Sequence, residues 1–230
     1  CRDHFPVIEI CSVLFIGLVP YSGDLLGLFA GDLLNQCIAS SFAHRASNTA
    51  YLGLYGACST AVEGIMLAAA TVSAGYFETA AAVTSSHYCS AERQYRSPIE
   101  YGAQRSPTAQ WTATAAGAFM LRRSGSVRVR EALPGIVVEK GISDASNMGA
   151  AMAPAAADTL LNFLHDTGTA PDDYDAIFTG DLGAEGSALF RMLTAREGRK
   201  IEGNHMDCGL LLYDRDAQDV HAGASGCGCS

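Results

Sequence analysis

Basic side chains are scarce in this chain: 15 Lys and Arg stand against 24 Asp and Glu, a formal net charge of −9 over 230 residues. A surface of that sign offers no phosphate-neutralising groove, which argues against nucleic acid as a partner. A long apolar run is also missing. The longest, Val7 to Val19, lies between Pro6 and Pro20 and contains Glu9, so it is too short and too interrupted to cross a bilayer, and no transmembrane helix is expected. It has the length of a secretory signal's apolar core, but Arg2 alone is a thin basic start and no clear cleavage site follows; it reads as a core segment. The eight cysteines, at 1, 11, 37, 58, 89, 208, 227 and 229, lack the dense spacing of a disulfide-stapled domain, and free thiols are expected. His205-x-x-Cys208 with Cys227-x-Cys229 can be drawn as a zinc site, yet Cys-x-Cys departs from the two-residue knuckle spacing; neither a metal nor a cofactor is expected. What remains is a globular composition, 49% apolar and 17% charged, long enough to bury a sizeable core.

One stretch carries chemistry. Gly56-Ala57-Cys58-Ser59-Thr60 places a thiol among small residues, after an apolar strand and before a helical pattern. Backbone N–H groups and the helix dipole at such a position lower a thiol pKa, and small neighbours permit the sharp turn of a nucleophile elbow. The same cysteine also fits a small buried apolar side chain.

A repeat sets the architecture. Asp24 to Leu33 lines up with Asp173 to Leu182 at a constant offset of 149, each copy an acidic lead-in and an apolar strand ending in Gly-Asp-Leu. The two Gly-Asp turns are expected to superpose about a pseudo-twofold axis. Around the first copy the pattern predicts a polar segment from Asn35 to Asn48, a strand from Tyr51 to Tyr55, and a helix from Ser59 to about Ala74. Val62, Met66, Ala69 and Val72 form the helical stripe and Gly75 the stop, with burial on most sides. A strand from Thr79 to Thr84 follows, and strand–helix–strand alternation predicts a parallel sheet. Cys89 to Gln110 reads as a polar loop or lid. Ala113 to Leu121 is a strand, and Val127 to Val129 with Ile136 to Val138 a hairpin turning near Pro134-Gly135. Pro154 is placed at the first turn of a helix to about His165, with Leu160, Leu161 and Leu164 as its stripe. The second copy continues with a helix near Ser187 to Arg196, a strand from Cys208 to Tyr213, and a Gly-rich Cys-Ser turn that echoes the first elbow.

The class is therefore α/β, with two duplicated βαβ-type halves in a single domain over residues 1–230: a first half of about 24–172 and an incomplete second half of about 173–230. Ala30 to Gln36, Tyr55 to Thr60, Thr84 to His87, Ser90 to Arg96, Met148 to Asp158, Thr179 to Leu182 and Gly226 to Ser230 together resemble the stage V sporulation protein AD family of the thiolase-like superfamily. The resemblance spans roughly Asp24 to Ser230. It departs at residues 1–23 and lacks a C-terminal helix and strand, so the chain looks like a fragment of a longer protein. It implies a thiolase-like fold that binds dipicolinic acid, alone or as its calcium chelate, and supports its loading into the developing spore beside membrane proteins of the same uptake system. It implies a spore protein at the periphery of the inner membrane, and admits a homodimer.

In condensing enzymes of this fold the nucleophilic cysteine is joined by a histidine and by a second histidine or an asparagine. Cys58 matches the cysteine. Where ketoacyl synthase III-type enzymes carry His-Gln-Ala-Asn, this chain has Gly180-Asp181-Leu182-Gly183, and Ser225-Gly226-Cys227 replaces the Gly-Asn turn. Catalysis is accordingly confined to Cys58, if acyl transfer occurs at all. The ligand-binding set is Cys58, Ser59, His87, Asp181, His205, Asp207, Gly226 and Cys227. Helix N-terminal amides and the Gly-rich turn supply donors, and His205 or His87 is a substitute imidazole. Asp32 and Asp181 fit backbone capping better than anion contact. Arg93, Arg96 and Arg105 are candidate carboxylate partners, against the ordinary reading of surface arginines. Three readings stay open: a noncatalytic binding protein, a cysteine acyltransferase, and a docking subunit for membrane partners.

Overall fold

Strand β2 (Leu26–Asp32) reads LGLFAGD, an apolar run without alternation, the pattern of a strand covered on both faces. It takes β3 (Ala50–Leu54) on one side and β4 (Thr79–Ser86) on the other, both parallel, with Gly27 opposite Ala50 and Asp32 opposite Ser85. These three strands are parallel, as the strand–helix–strand pattern predicts, while the rest of the sheet is antiparallel. β6 (Ala115–Arg122) pairs with β4, β1 (Val7–Ile10) with β6, and β7 (Val127–Arg128) with β1, in the order β3-β2-β4-β6-β1-β7. The computed structural model describes residues 7–10, 26–34, 37–95 and 105–226, with residues 7–10 described by their backbone.

Helix α2 (Thr60–Ala74) lies on this sheet against β2, β4 and β6. It ends where expected, at Gly75 with φ 82°, a left-handed conformation that costs glycine nothing. Its buried line keeps Ala69 and Val72 of the expected stripe but not Val62. Thr60, Gly64, Ala68, Ala69 and Val72 face inward, whereas Val62 is 69% exposed. Small residues decide this: a Cβ on Gly64 would sit 3.2 Å from the Ala82 methyl of β4, so the helix approaches the alanine strand along its own narrowest ridge. Phe29, Leu54, Ala80, Ala82 and Leu121 complete that core, while Leu28, Ala30 and Ala81 fill the other side of the same strands. The segment Ala57–Ala74 has the length and composition of a membrane span, yet here it serves as the layer that covers the sheet.

Packing divides the chain into two compact units. The first holds β1 to β4, α1 (Ile38–His44), α2, α3 (Tyr88–Tyr95), β6 and β7. The second is built on α4 (Met148–Thr167) and α5 (Gly183–Arg196), packed over Ala153, Ala157, Leu182, Phe190 and Ile201. It also contains two short parallel pairs, β8 (Ile177–Thr179) with β9 (His205–Asp207) and β5 (Trp111–Thr112) with β10 (Ala224–Ser225), and the short helix α6 (Cys208–Leu211). Helix α4 thus packs in the second unit.

Several local expectations are corrected. Helix α4 starts six residues before Pro154, because the Asn147 side chain accepts from the Ala150 N–H at 3.1 Å and caps an earlier start. The polar segment after residue 35 contains α1, and the loop from Cys89 begins inside α3. No hairpin forms between 127–129 and 136–138: β7 pairs with β1, while Ile136 and Val137 are 69% and 97% exposed. The strand expected from Cys208 is the helix α6, with the strand just before it as β9. Leu211 and Leu212 lie exposed.

Candidate functional site

Cys58 sits in a 3-10 turn, Ala57–Ser59, that leads directly into α2. The turn is a strained elbow: Ala57 has φ 47°, a left-handed conformation costing an L-residue about 1–2 kcal/mol. Hydrogen bonds hold it there. The Gly56 carbonyl accepts from Ser59 N at 3.0 Å and Ser59 Oγ at 2.9 Å, Thr60 Oγ1 donates to the Ala57 carbonyl at 2.8 Å, and Gly56 N donates to Thr60 Oγ1 at 3.2 Å. Gly31, at the end of β2, makes room, since a Cβ there would lie 2.5 Å from the Leu54 carbonyl and from Thr60 Cγ2. Cys58 is half-buried, packed with Ala57 and Tyr95 against Leu33 and Ala91. Replacing Ala57 by glycine is expected to leave the urea midpoint unchanged or raised, and replacing it by valine to lower stability by more than about 1 kcal/mol, since only glycine escapes the left-handed penalty.

Beside the thiol runs a phenol chain that the sequence did not announce. Gln94 Nε2 donates to Tyr55 Oη at 3.3 Å, the Tyr55 and Tyr95 hydroxyls lie 2.9 Å apart, and Tyr95 Oη donates to the Leu33 carbonyl at 2.7 Å. Cys37, also left-handed at φ 52°, donates its thiol to the Leu54 carbonyl at 2.8 Å. Burial, then the Asp32 and Glu63 charges, raise its pKa and keep it protonated. His87 is exposed ahead of α3, where its carbonyl accepts from Ala91 N. Asp32 is buried and caps backbone, accepting from Leu34 N at 2.9 Å and Ser40 N at 3.3 Å.

The second unit gathers Asp181, His205, Asp207 and Gly226. Asp207, 2% exposed, accepts from Thr179 Oγ1 at 2.6 Å and Leu182 N at 2.8 Å on one oxygen, and from Gly183 N at 3.0 Å on the other. It thereby caps the amides that open α5, the exchange that helix N-termini favour. Asp181 accepts from Gly226 N at 2.8 Å, and Gly226 adopts φ 77°. Both ring nitrogens of His205 are engaged inside the protein, Nε2 with Thr179 Oγ1 at 2.9 Å and Nδ1 with Arg191 Nε at 3.0 Å. Burial and then the Arg191 charge lower its pKa, with Asp207 opposing. Cys208 is held protonated by burial and the neighbouring Asp207 and Asp181 charges.

Gln110, buried at 3% exposure, donates both amide hydrogens to carbonyls, Asp181 at 2.7 Å and Ala224 at 2.8 Å. Sequence reasoning passed over Gln110, Thr179 and Arg191, because their partners lie far along the chain. Cys227 and Arg96 lie outside the described residues, as does Cys229 of the drawn zinc set. Among the described residues no group of three His, Cys, Asp or Glu is placed to hold a metal. Arg105 stacks 3.8 Å from the centroid of the Trp111 ring and donates to the Gln110 carbonyl, while Arg93 is exposed. Cys37, Cys58, Cys89 and Cys208 form no disulfide, in line with the free thiols expected.

The model of one protein family, stage V sporulation protein AD (SpoVAD), matches residues 22–230. This chain belongs to that family. It is 44% identical over 208 residues to stage V sporulation protein AD of Bacillus subtilis (strain 168), covering 90% of this chain and 61% of that protein. The chain thus spans about three fifths of the length of its curated relative. Among solved structures, the priming β-ketosynthase of the R1128 polyketide pathway superposes with a TM-score of 0.53 at 15% identity, over 89% of this chain and 64% of that one. The peroxisomal 3-ketoacyl-CoA thiolase of Saccharomyces cerevisiae does so with a TM-score of 0.50 at 13% identity, over 89% and 72%. At those identities the likeness concerns the fold alone, and it establishes the α/β, thiolase-like architecture of this sporulation-family chain.

Proposed function

We propose that this SpoVAD-family chain binds a small aromatic dicarboxylate, dipicolinic acid or its calcium chelate, without turning it over. In this reading it supports loading of the ligand into the developing spore from the periphery of the inner membrane, beside membrane proteins of the same system. The observation that carries the noncatalytic part is the state of His205. Its two nitrogens are committed to Thr179 and Arg191, so the imidazole is not offered as an acid or base. Chemistry that cannot draw on this imidazole forgoes the proton transfer that general acid–base catalysis contributes, about 10²- to 10⁴-fold.

Calorimetric titration with dipicolinate tests the binding. Saturable heat is expected, with Cys58→Ala weakening affinity by no more than about tenfold, the loss of roughly 1.4 kcal/mol from one contact, and Cys58→Trp abolishing it by filling the recess. Absence of binding to the wild-type protein would remove this reading and favour a docking subunit. Acyl transfer remains a second reading because Cys58 lies in a sharp turn that leads straight into α2, the setting of a nucleophile elbow, with the left-handed residue at Ala57 beside the thiol. Intact-protein mass spectrometry after incubation with acetyl- and malonyl-CoA is expected to show no adduct. A stoichiometric mass gain on the wild type that disappears in Cys58→Ala would establish the acyltransferase instead.

A further inference from the structure

Arg191, His205, Thr179 and Asp207 form one chain of hydrogen bonds whose protons can be assigned without ambiguity. Arg191 Nε carries a hydrogen and no lone pair to share, so at 3.0 Å it donates and His205 Nδ1 accepts. The ring proton of the neutral imidazole is then on Nε2, which donates to Thr179 Oγ1 at 2.9 Å. That leaves the Thr179 hydroxyl hydrogen for Asp207 Oδ2 at 2.6 Å, and Asp207 spends its remaining capacity on Leu182 N and Gly183 N. The chain runs one way, from cation to carboxylate, and it exists in a single protonation state.

We propose that His205 is an acid-sensitive latch: a proton added at Nδ1 sets an imidazolium against the Arg191 guanidinium and drives the buried ring from its seat, taking the Nε2 donor from Thr179, the residue that orients Asp207 under the turn from Thr179 to Gly183 at the start of α5. The incoming proton has only Nδ1 as a destination, where the Arg191 N–H already points, so two donors and two positive charges would meet 3.0 Å apart. Against this repulsion stands the Asp207 charge alone. Of the elements packed on the ring, α5 presents Arg191 and the Phe190 ring, whose centroid is 4.9 Å away, β8 presents Thr179, and β9 presents Asp207, reached only through Thr179. Asp181 turns its carboxylate to Gly226 N. His205 is itself 6% exposed, so water does not reach a charged ring without movement.

The turn is held separately at Asp181, by Gln110 on its carbonyl and Gly226 N on its carboxylate, and at Ala184 N by the Ala222 carbonyl, so the latch acts on the strand pair that leads into it. β8 and β9 pair over three positions only, Ile177 with His205, Phe178 with Met206 and Thr179 with Asp207. Two of the three β9 residues belong to the chain. Burial and the Arg191 charge lower the His205 pKa below its ordinary value of 6.5. The sign follows: the unfolded chain takes up this proton first, so the latch stabilises fully above that value and weakens as pH falls through the lowered folded-state pKa.

The test needs no ligand, so its outcome is separate from that of the binding reading. Hydrogen exchange of the Leu182 and Gly183 amides, corrected for the intrinsic pH dependence of exchange, is measured from about pH 7.5 to about pH 5, alongside the ring nitrogen shifts of His205. The expected result is loss of protection by at least about tenfold, with a midpoint that coincides with titration of a ring protonated on Nε2 at the start. His205→Gln, which can keep the Thr179 and Arg191 contacts without titrating, is expected to hold the same protection at both ends. Unchanged wild-type protection, a midpoint apart from the ring titration, or a ring protonated on Nδ1 at neutral pH would each overturn the latch. If His205→Gln does not fold, the coincidence of the two wild-type midpoints decides alone.

Discussion

Replacing Gly149 by alanine is expected to destabilise the second unit by about 3 kcal/mol or more, a far larger effect than one methyl group normally has on a helix. Gly149 opens α4, and a Cβ there would overlap the Leu182 carbonyl oxygen, well inside van der Waals contact distance, and lie 3.0 Å from Gly186 N. Gly186 mirrors it in α5: its Cβ would lie 2.7 Å from the Gly149 carbonyl oxygen and 2.8 Å from Gly149 Cα. These obstacles are backbone atoms, which cannot rotate aside, so the helices must separate and uncover Ala153, Ala157 and Phe190. Helix propensity points the opposite way, favouring alanine by about 1 kcal/mol in a helix interior, so the direction of the change separates the two effects. Urea denaturation of Gly149→Ala and Gly186→Ala checks this. A raised midpoint in either would mean that the α4–α5 contact is looser than the structure has it.

Asp207→Ala is expected to cost about 3–5 kcal/mol, because it removes three hydrogen bonds to a charged acceptor and leaves the buried amides of Leu182 and Gly183 without partners. Asp207→Asn discriminates between lost charge and lost geometry. The oxygen serving Thr179 and Leu182 has two donors to satisfy, so the asparagine carbonyl belongs there and its NH2 must face the Gly183 N–H, donor against donor. A loss smaller than that of alanine but still above about 1 kcal/mol is expected, since one amide of the two stays capped. Equal stability of Asp207→Asn and wild type in urea titrations would show that the carboxylate is not the acceptor for both amides. Asp207 lies within the ligand set read from the sequence, so dipicolinate titration of a folded Asp207→Asn protein also separates a capping role from direct contact with ligand.

Local chemistry made one part of this protein readable from its residues. The unbroken apolar run of β2, the alanines of β4, the helix from Thr60 to its glycine stop at Gly75, and the small residues around Cys58 each declare themselves within a few positions. The elbow is legible for the same reason: strand, sharp turn and helix follow one another directly. The Gly-Asp-Leu repeat marks both strand ends, and the capping role expected of Asp32 agrees with its bonds to Leu34 and Ser40. Family membership rides on these same local motifs.

What only the tertiary structure decided depends on residues distant in the chain. Whether the apolar stretch after Asp207 is strand or helix turned on packing: Gly209 has the Ala224 carbonyl 2.6 Å from where its Cβ would be, a contact across fifteen residues. The antiparallel half of the sheet required β1 to pair with residues more than a hundred positions away. Gln110 reaches Asp181 and Ala224 across 71 and 114 residues, and His205 reaches Thr179 across 26. Side-chain type states which hydrogen bonds a residue can make, and periodicity states which face it occupies. Which donor meets which acceptor is settled when the chain closes on itself, because a buried polar group must pair with whatever the fold brings within 3 Å or so, however far off in sequence it began.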